Sequence, residues 1–138
     1  MPAPERMGLP SLSPPVASAA GRAADRRENL IAALQHDVRV LASEIGERNT
    51  MRYENLDRAA TFIDDALQTT GVPVCRQTYT VHGRPCHNVV GELAGIGDSH
   101  EIVLIGAHYD SVRGGPGAND NASGVAALLA LAHAFARN

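Results

Sequence analysis

His108, Asp110 and Asp120 are the residues of this chain whose types and spacing could do chemistry. An imidazole and two carboxylates lie on either side of Gly114-Gly115-Pro116-Gly117, a stretch flexible enough for the backbone to turn back and bring both sides to one point. Zinc in a hydrolytic centre takes nitrogen and oxygen ligands, keeps one position for water, and needs outer partners that hold each imidazole in one tautomer. His108 and Asp120 suit the ligand positions. Asp110, two residues beyond His108, falls on the same side of an extended chain and can orient the ring. The run reads as half of a zinc site. Spacing alone also admits a plainer account, in which His108 is a polar strand end, Asp110 starts a turn, and Asp120, Asn121 and Ser123 cap a helix.

The elements that must position these residues can be read from periodicity. Ile102, Val103, Leu104, Ile105, Gly106 and Ala107 form a continuous apolar run, which predicts a strand covered on both faces inside an α/β sheet. His108 would then sit just past a strand end, where open α/β sheets collect ligands. After the glycine-rich loop, Val125, Leu128, Leu129, Ala132 and Phe135 mark a helix, with Asn121 and Ser123 as its caps. Upstream, from about Ala24, Leu30, Ile31, Leu34, Val38, Leu41 and Ile45 recur at helical spacing, giving one amphipathic helix or a kinked pair that Gly46 ends. A second stripe, Leu56, Ala59, Ala60, Ile63 and Leu67, stops before Gly71-Val72-Pro73. Residues 74–81 and 87–93 then alternate as strands about a His82-Gly83-Arg84-Pro85 turn, an antiparallel hairpin. The fold class is α/β.

Composition narrows the partners. A chain of 138 residues with 44% hydrophobic content suits one domain, and two Phe, three Tyr and no Trp leave the core to aliphatic side chains. A net charge of −3 supplies neither a phosphate-binding stripe nor a polybasic segment, so nucleic acid and membrane partners are disfavoured. Residues 1–23, rich in Pro, Ser and Ala, are expected to be a disordered tail. They lack the basic start and apolar stretch of a signal peptide, and no segment is apolar enough to span a membrane, so the compartment stays unassigned. Cys75 and Cys86 lack the spacing of a zinc knuckle and would oppose each other poorly in the hairpin, so free thiols are expected. His36, His82, His87, His100 and His133 read as polar residues of helices, turns and strand starts. Glu92 and Glu101 lie too far from His108 along their elements to serve it as a base. The glycine-rich loop lacks the Lys-Ser/Thr of a phosphate loop.

The letters around the three residues carry a resemblance. Gly106-Ala107-His108-Tyr109-Asp110-Ser111-Val112 and Pro116-Gly117-Ala118-Asn119-Asp120-Asn121-Ala122-Ser123-Gly124-Val125-Ala126 resemble the two-zinc aminopeptidases that include the bacterial leucyl aminopeptidases. Weaker similarity extends upstream through Arg48 to about Asp37. The resemblance implies the N-terminal part of a three-layer α/β/α zinc exopeptidase domain with a mixed sheet, spanning residues 24–138. It implies that His108 binds one zinc, Asp120 bridges two, Asp110 supports His108, and a metal-bridged hydroxide removes N-terminal residues from a peptide substrate. A cis peptide at Asp120-Asn121 is implied as well. The family's general-base glutamate, an adjacent glutamate ligand and a later aspartate and histidine have no match, so the isolated chain is expected to bind zinc weakly and to lack peptidase activity. A carboxypeptidase, a glutaminyl cyclase or a non-catalytic interaction domain on the same scaffold would share the same residues. The apolar run, short of neighbours, would leave a sheet edge through which copies could associate.

Overall fold

A computed structural model describes residues 18–95, 97 and 101–137. Its first element is the helix α1, Ala19–Arg39, which starts ahead of the Ala24 expected from periodicity. Ser18 explains the earlier start, because its hydroxyl accepts from the Gly21 N–H at 3.1 Å and satisfies an open donor of the first turn. No residue of α1 is fully buried, so its opening turns leave no apolar stripe to read. Residues 1–17 of the expected tail lie outside the described residues. α1 runs on into one wider turn, Val40–Ile45, where Leu41, Ala42 and Ile45 become buried. Gly46, at φ 79°, ends it as expected, in a conformation that favours glycine.

A short 3-10 turn, Thr50–Arg52, leads into α2, Tyr53–Gln68. Asn49 caps the turn, its side-chain oxygen accepting from the N–H groups of Met51 and Arg52. Leu56, Ala59, Ala60, Ile63 and Leu67, the stripe read from sequence, are the five buried residues of α2. Burial of each larger side chain there contributes about 1.5–3 kcal/mol. The hairpin follows as β1, Val74–Val81, and β2, Arg84–Gly91, paired antiparallel from Val74 opposite Gly91 to Val81 opposite Arg84. The turn is tighter than expected: only His82 and Gly83 lie between the strands, both with positive φ, at 49° and 76°. Pro85 therefore sits within β2, opposite Thr80. Cys75 faces Val90 and Cys86 faces Tyr79, so the two cysteines do not oppose each other and both are free. Arg76 fastens the hairpin to α2 by a 2.6 Å ion pair with Asp64.

The last helix, α3, Ser123–Phe135, buries Val125, Ala126 and Leu129. Val125 and Leu129 join Leu41, Ala42, Ile45, Ala59, Ile63, Leu67 and Ala122 in a core built from the wider turn after α1, from α2, and from α3 with the turn before it. The chain is thus α/β, with one two-stranded antiparallel sheet among the described residues. The strand expected over residues 102–107 is not formed, which corrects the sequence reading. A strand takes its hydrogen bonds from neighbours, and no described residue pairs with this run. Ile102, Val103 and Leu104 are accordingly 91%, 86% and 90% exposed. No helix among the described residues is long and apolar enough to cross a membrane.

Candidate metal centre

Burial alternates from Ala107 to Ser111, with Ala107, Tyr109 and Ser111 turned inward and His108 and Asp110 outward. Ala107 and Tyr109 pack against the core, and the Tyr109 hydroxyl donates to the His87 carbonyl of β2 at 2.7 Å. The inward residues therefore aim the outward ones, although no strand carries them. Asp120 arrives from the kinked turn Ala118–Ala122, in which Asp120 and Asn121 depart from helical φ/ψ and are joined by a cis peptide, as the resemblance implied. Asn121 turns its side-chain oxygen onto the Gly124 N–H at 3.1 Å, capping the start of α3. Ser123 instead donates to the Asn119 carbonyl.

His108 lies between the two carboxylates. Its Nδ1 is 3.1 Å from Asp110 Oδ1 and its Nε2 is 3.0 Å from Asp120 Oδ1. A neutral imidazole has one N–H. If Asp110 accepts it from Nδ1, Nε2 and Asp120 face each other with lone pairs, which repel unless a proton or a cation lies between them. Two ligands about 2.0–2.1 Å from a tetrahedral zinc are separated by roughly 3.3 Å, close to the observed gap. The donor set, one imidazole nitrogen and one carboxylate oxygen, also suits zinc. All three side chains are more than half exposed, so a cation could reach them. No cluster of three or more His, Cys, Asp or Glu able to hold a metal occurs among the described residues.

The other histidines stay apart from this centre. His82 forms the hairpin turn, and His87 pairs across the sheet with Thr78 at 3.0 Å. His36 contacts Arg39, and His133 lies close enough to Asp37 to favour its charge, a partner the sequence reading had missed. Burial nevertheless holds the Asp37 carboxyl above its usual range. His100 lies outside the described residues. Glu92 belongs to the end of the hairpin, where its N–H meets the Pro73 carbonyl.

Sequence reasoning placed Arg48 only within the weaker upstream similarity. It is wholly buried, and its guanidinium donates to the carbonyls of Leu41, Gly46, Tyr109, Pro116 and Gly117. Desolvation pulls its pKa down while the charge of Asp110 pushes it up. The backbone repeats the tie: Ser111 N–H donates to the Arg48 carbonyl at 2.8 Å, and Arg48 N–H to the Ser111 hydroxyl at 3.1 Å. Gly117 shows how tightly the loop is drawn in. At φ 62°, a Cβ there would lie 2.7 Å from the Asp120 carbonyl oxygen and from Ser111 Cβ. No periodicity announces such an arginine; its match to the family near the domain start was the one available signal.

With this geometry in view, comparison with known proteins is decisive for residues 88–138. They match Peptidase family M28. The M28 segment contains His108, Asp110, Asp120 and all of α3. Over 107 residues the chain is 37% identical to the uncharacterized protein YfbL of Escherichia coli (strain K12), covering 72% of this chain and 32% of that protein. It is 37% identical over 76 residues to leupeptin-inactivating enzyme 1 of Streptomyces exfoliatus, covering 55% of this chain and 17% of the enzyme. A leucine aminopeptidase 2 of Trichophyton equinum is 47% identical over 52 residues, 38% of this chain and 10% of the enzyme. The chain therefore spans a third or less of the length of these relatives. No solved structure matches. The resemblance read from sequence stands over that segment: residues 88–138 carry the M28 match.

Proposed function

We propose that the chain contributes part of a zinc aminopeptidase centre, in which His108 and Asp120 are metal ligands and Asp110 orients His108. The observation that carries this reading is the placement of His108, with Nδ1 on Asp110 and Nε2 facing Asp120 Oδ1 at 3.0 Å. Relatives named leucine aminopeptidase support removal of N-terminal residues from peptides as the reaction. Zinc held there would acidify a water and polarise the scissile carbonyl. Asp110 fixes the tautomer that leaves Nε2 free, and Asp120 supplies negative charge that would neutralise part of the cation. In the same reading residues 102–107 become an inner strand of a mixed sheet with helices on both faces once neighbouring strands are supplied, which gives the three layers. The second zinc and a general base need groups beyond these residues, so the 138-residue chain alone should bind zinc weakly and leave peptides intact.

Zinc titration followed by calorimetry tests the assignment, with hydrolysis of an aminoacyl anilide measured alongside. Weak binding that falls at least tenfold in both His108→Ala and Asp120→Ala is the expected result. Binding unchanged in both variants would remove these residues from the metal site. Zinc-dependent hydrolysis by the chain that Asp120→Ala abolishes would overturn its inactivity.

A further inference from the structure

The Arg48 fan of hydrogen bonds points to a role at the metal centre, resting on the zinc reading above. We infer that Arg48 is a positioning residue, which sets the distance between His108 and Asp120 by holding the two backbone segments that carry them. Its Nε takes the carbonyl of Tyr109, the residue directly after His108. Its Nη1 and Nη2 take the carbonyls of Pro116 and Gly117, at the root of the turn that presents Asp120. The remaining bonds, to Leu41 at 3.0 Å and Gly46 at 3.1 Å, anchor the same guanidinium to the turn Val40–Ile45 and the glycine that ends it. One rigid, planar cation therefore touches both ligand-bearing segments and a fixed part of the core.

Three features make the arrangement more than a general packing contact. The acceptors are all backbone carbonyls, so they constrain the course of the chain and not side-chain rotamers. His108 and Asp120 are more than half exposed and meet at a single polar contact, so burial of their side chains does little to fix their separation. Gly117 leaves no room for a side chain, with Arg48 Nη2 only 3.1 Å from where its Cβ would be, so the loop is seated directly on the arginine. A lysine at position 48 could reach some of these carbonyls with its three donors but not hold two segments in the plane of a fork.

The experiment uses the full chain and Arg48→Met, Arg48→Lys, Arg76→Met, His108→Ala and Asp120→Ala. Zinc affinity is read by competition with a chromophoric chelator, and backbone order by amide hydrogen exchange without metal. Arg76→Met breaks the ion pair between α2 and the hairpin and controls for lost stability alone. Arg48→Met should weaken zinc binding at least tenfold, Arg48→Lys should recover part of it, and Arg76→Met should leave it within twofold of wild type. In Arg48→Met, amide protection should fall at residues 109–111 and 117–122 while α2 and the hairpin stay protected. Wild-type zinc affinity in Arg48→Met would overturn the inference and leave the metal site standing. Protection lost uniformly across α2 and the hairpin would overturn it too, by making Arg48 an anchor of the whole fold. If His108→Ala and Asp120→Ala leave zinc binding unchanged, the zinc reading falls, and the exchange pattern alone then decides whether Arg48 holds the two segments.

Discussion

Tyr109 shows how one side chain can serve the site without touching it. Its ring packs on the core, its hydroxyl ties to His87, and burial, with Tyr79 nearby, raises the phenol to about pKa 12. Because the folded value lies above the ordinary value of about 10, the proton is held more tightly in the folded chain. The associated stability is complete below pH 10 and is lost as pH rises toward 12, amounting to about 2 kcal/mol. Urea unfolding across that window should show the loss in wild type and a flatter profile in Tyr109→Phe; equal slopes would mean that another group is responsible. At this scale the sequence was informative where chemistry is local. His108, Asp110 and Asp120 could be named because their types suit a metal centre and the letters around them resemble a family, and the structure brings the three together. Arg48 could not, since three of its five acceptors, Tyr109, Pro116 and Gly117, are remote from it in sequence and reach it only after folding.

Among the elements, legibility followed the source of each one's stability. α2 carries its own pattern, because a helix makes its backbone hydrogen bonds internally and needs the core only for Leu56, Ala59, Ala60, Ile63 and Leu67. The hairpin was nearly as clear: its turn is two residues tighter than expected, set by the positive φ of His82 and Gly83, and its second strand runs from Arg84 to Gly91 where residues 87–93 were expected. Residues 102–107 have the composition of an inner strand, but half of a strand's identity lies in the neighbours that pair with it, and composition cannot supply them. Left without a ladder, Ile102, Val103 and Leu104 expose apolar surface that should draw copies of the chain together. Light scattering at rising concentration should report association, and Val103→Lys with Leu104→Lys should restore a monomer. A monomer in wild type at every concentration would count against a role for this run.

Across the whole molecule, the core is made from parts far apart in sequence. The end of α1 and α2 meet α3, and Arg48 and His87 reach across to the segment between Tyr109 and Gly117. The exposed run at residues 102–104 carries the chain from the first group of elements to the second, while the joining contacts lie elsewhere. Covalent continuity at that point is therefore separable from the fold. Residues 1–103 and 104–138, made as two polypeptides in one cell, should recognise each other and co-purify through a tag on either piece. Arg48→Met in the longer piece should weaken their pairing, because the guanidinium would then be the main polar clasp between two separate molecules. A chain built in this way could be assembled from halves that are switched on independently.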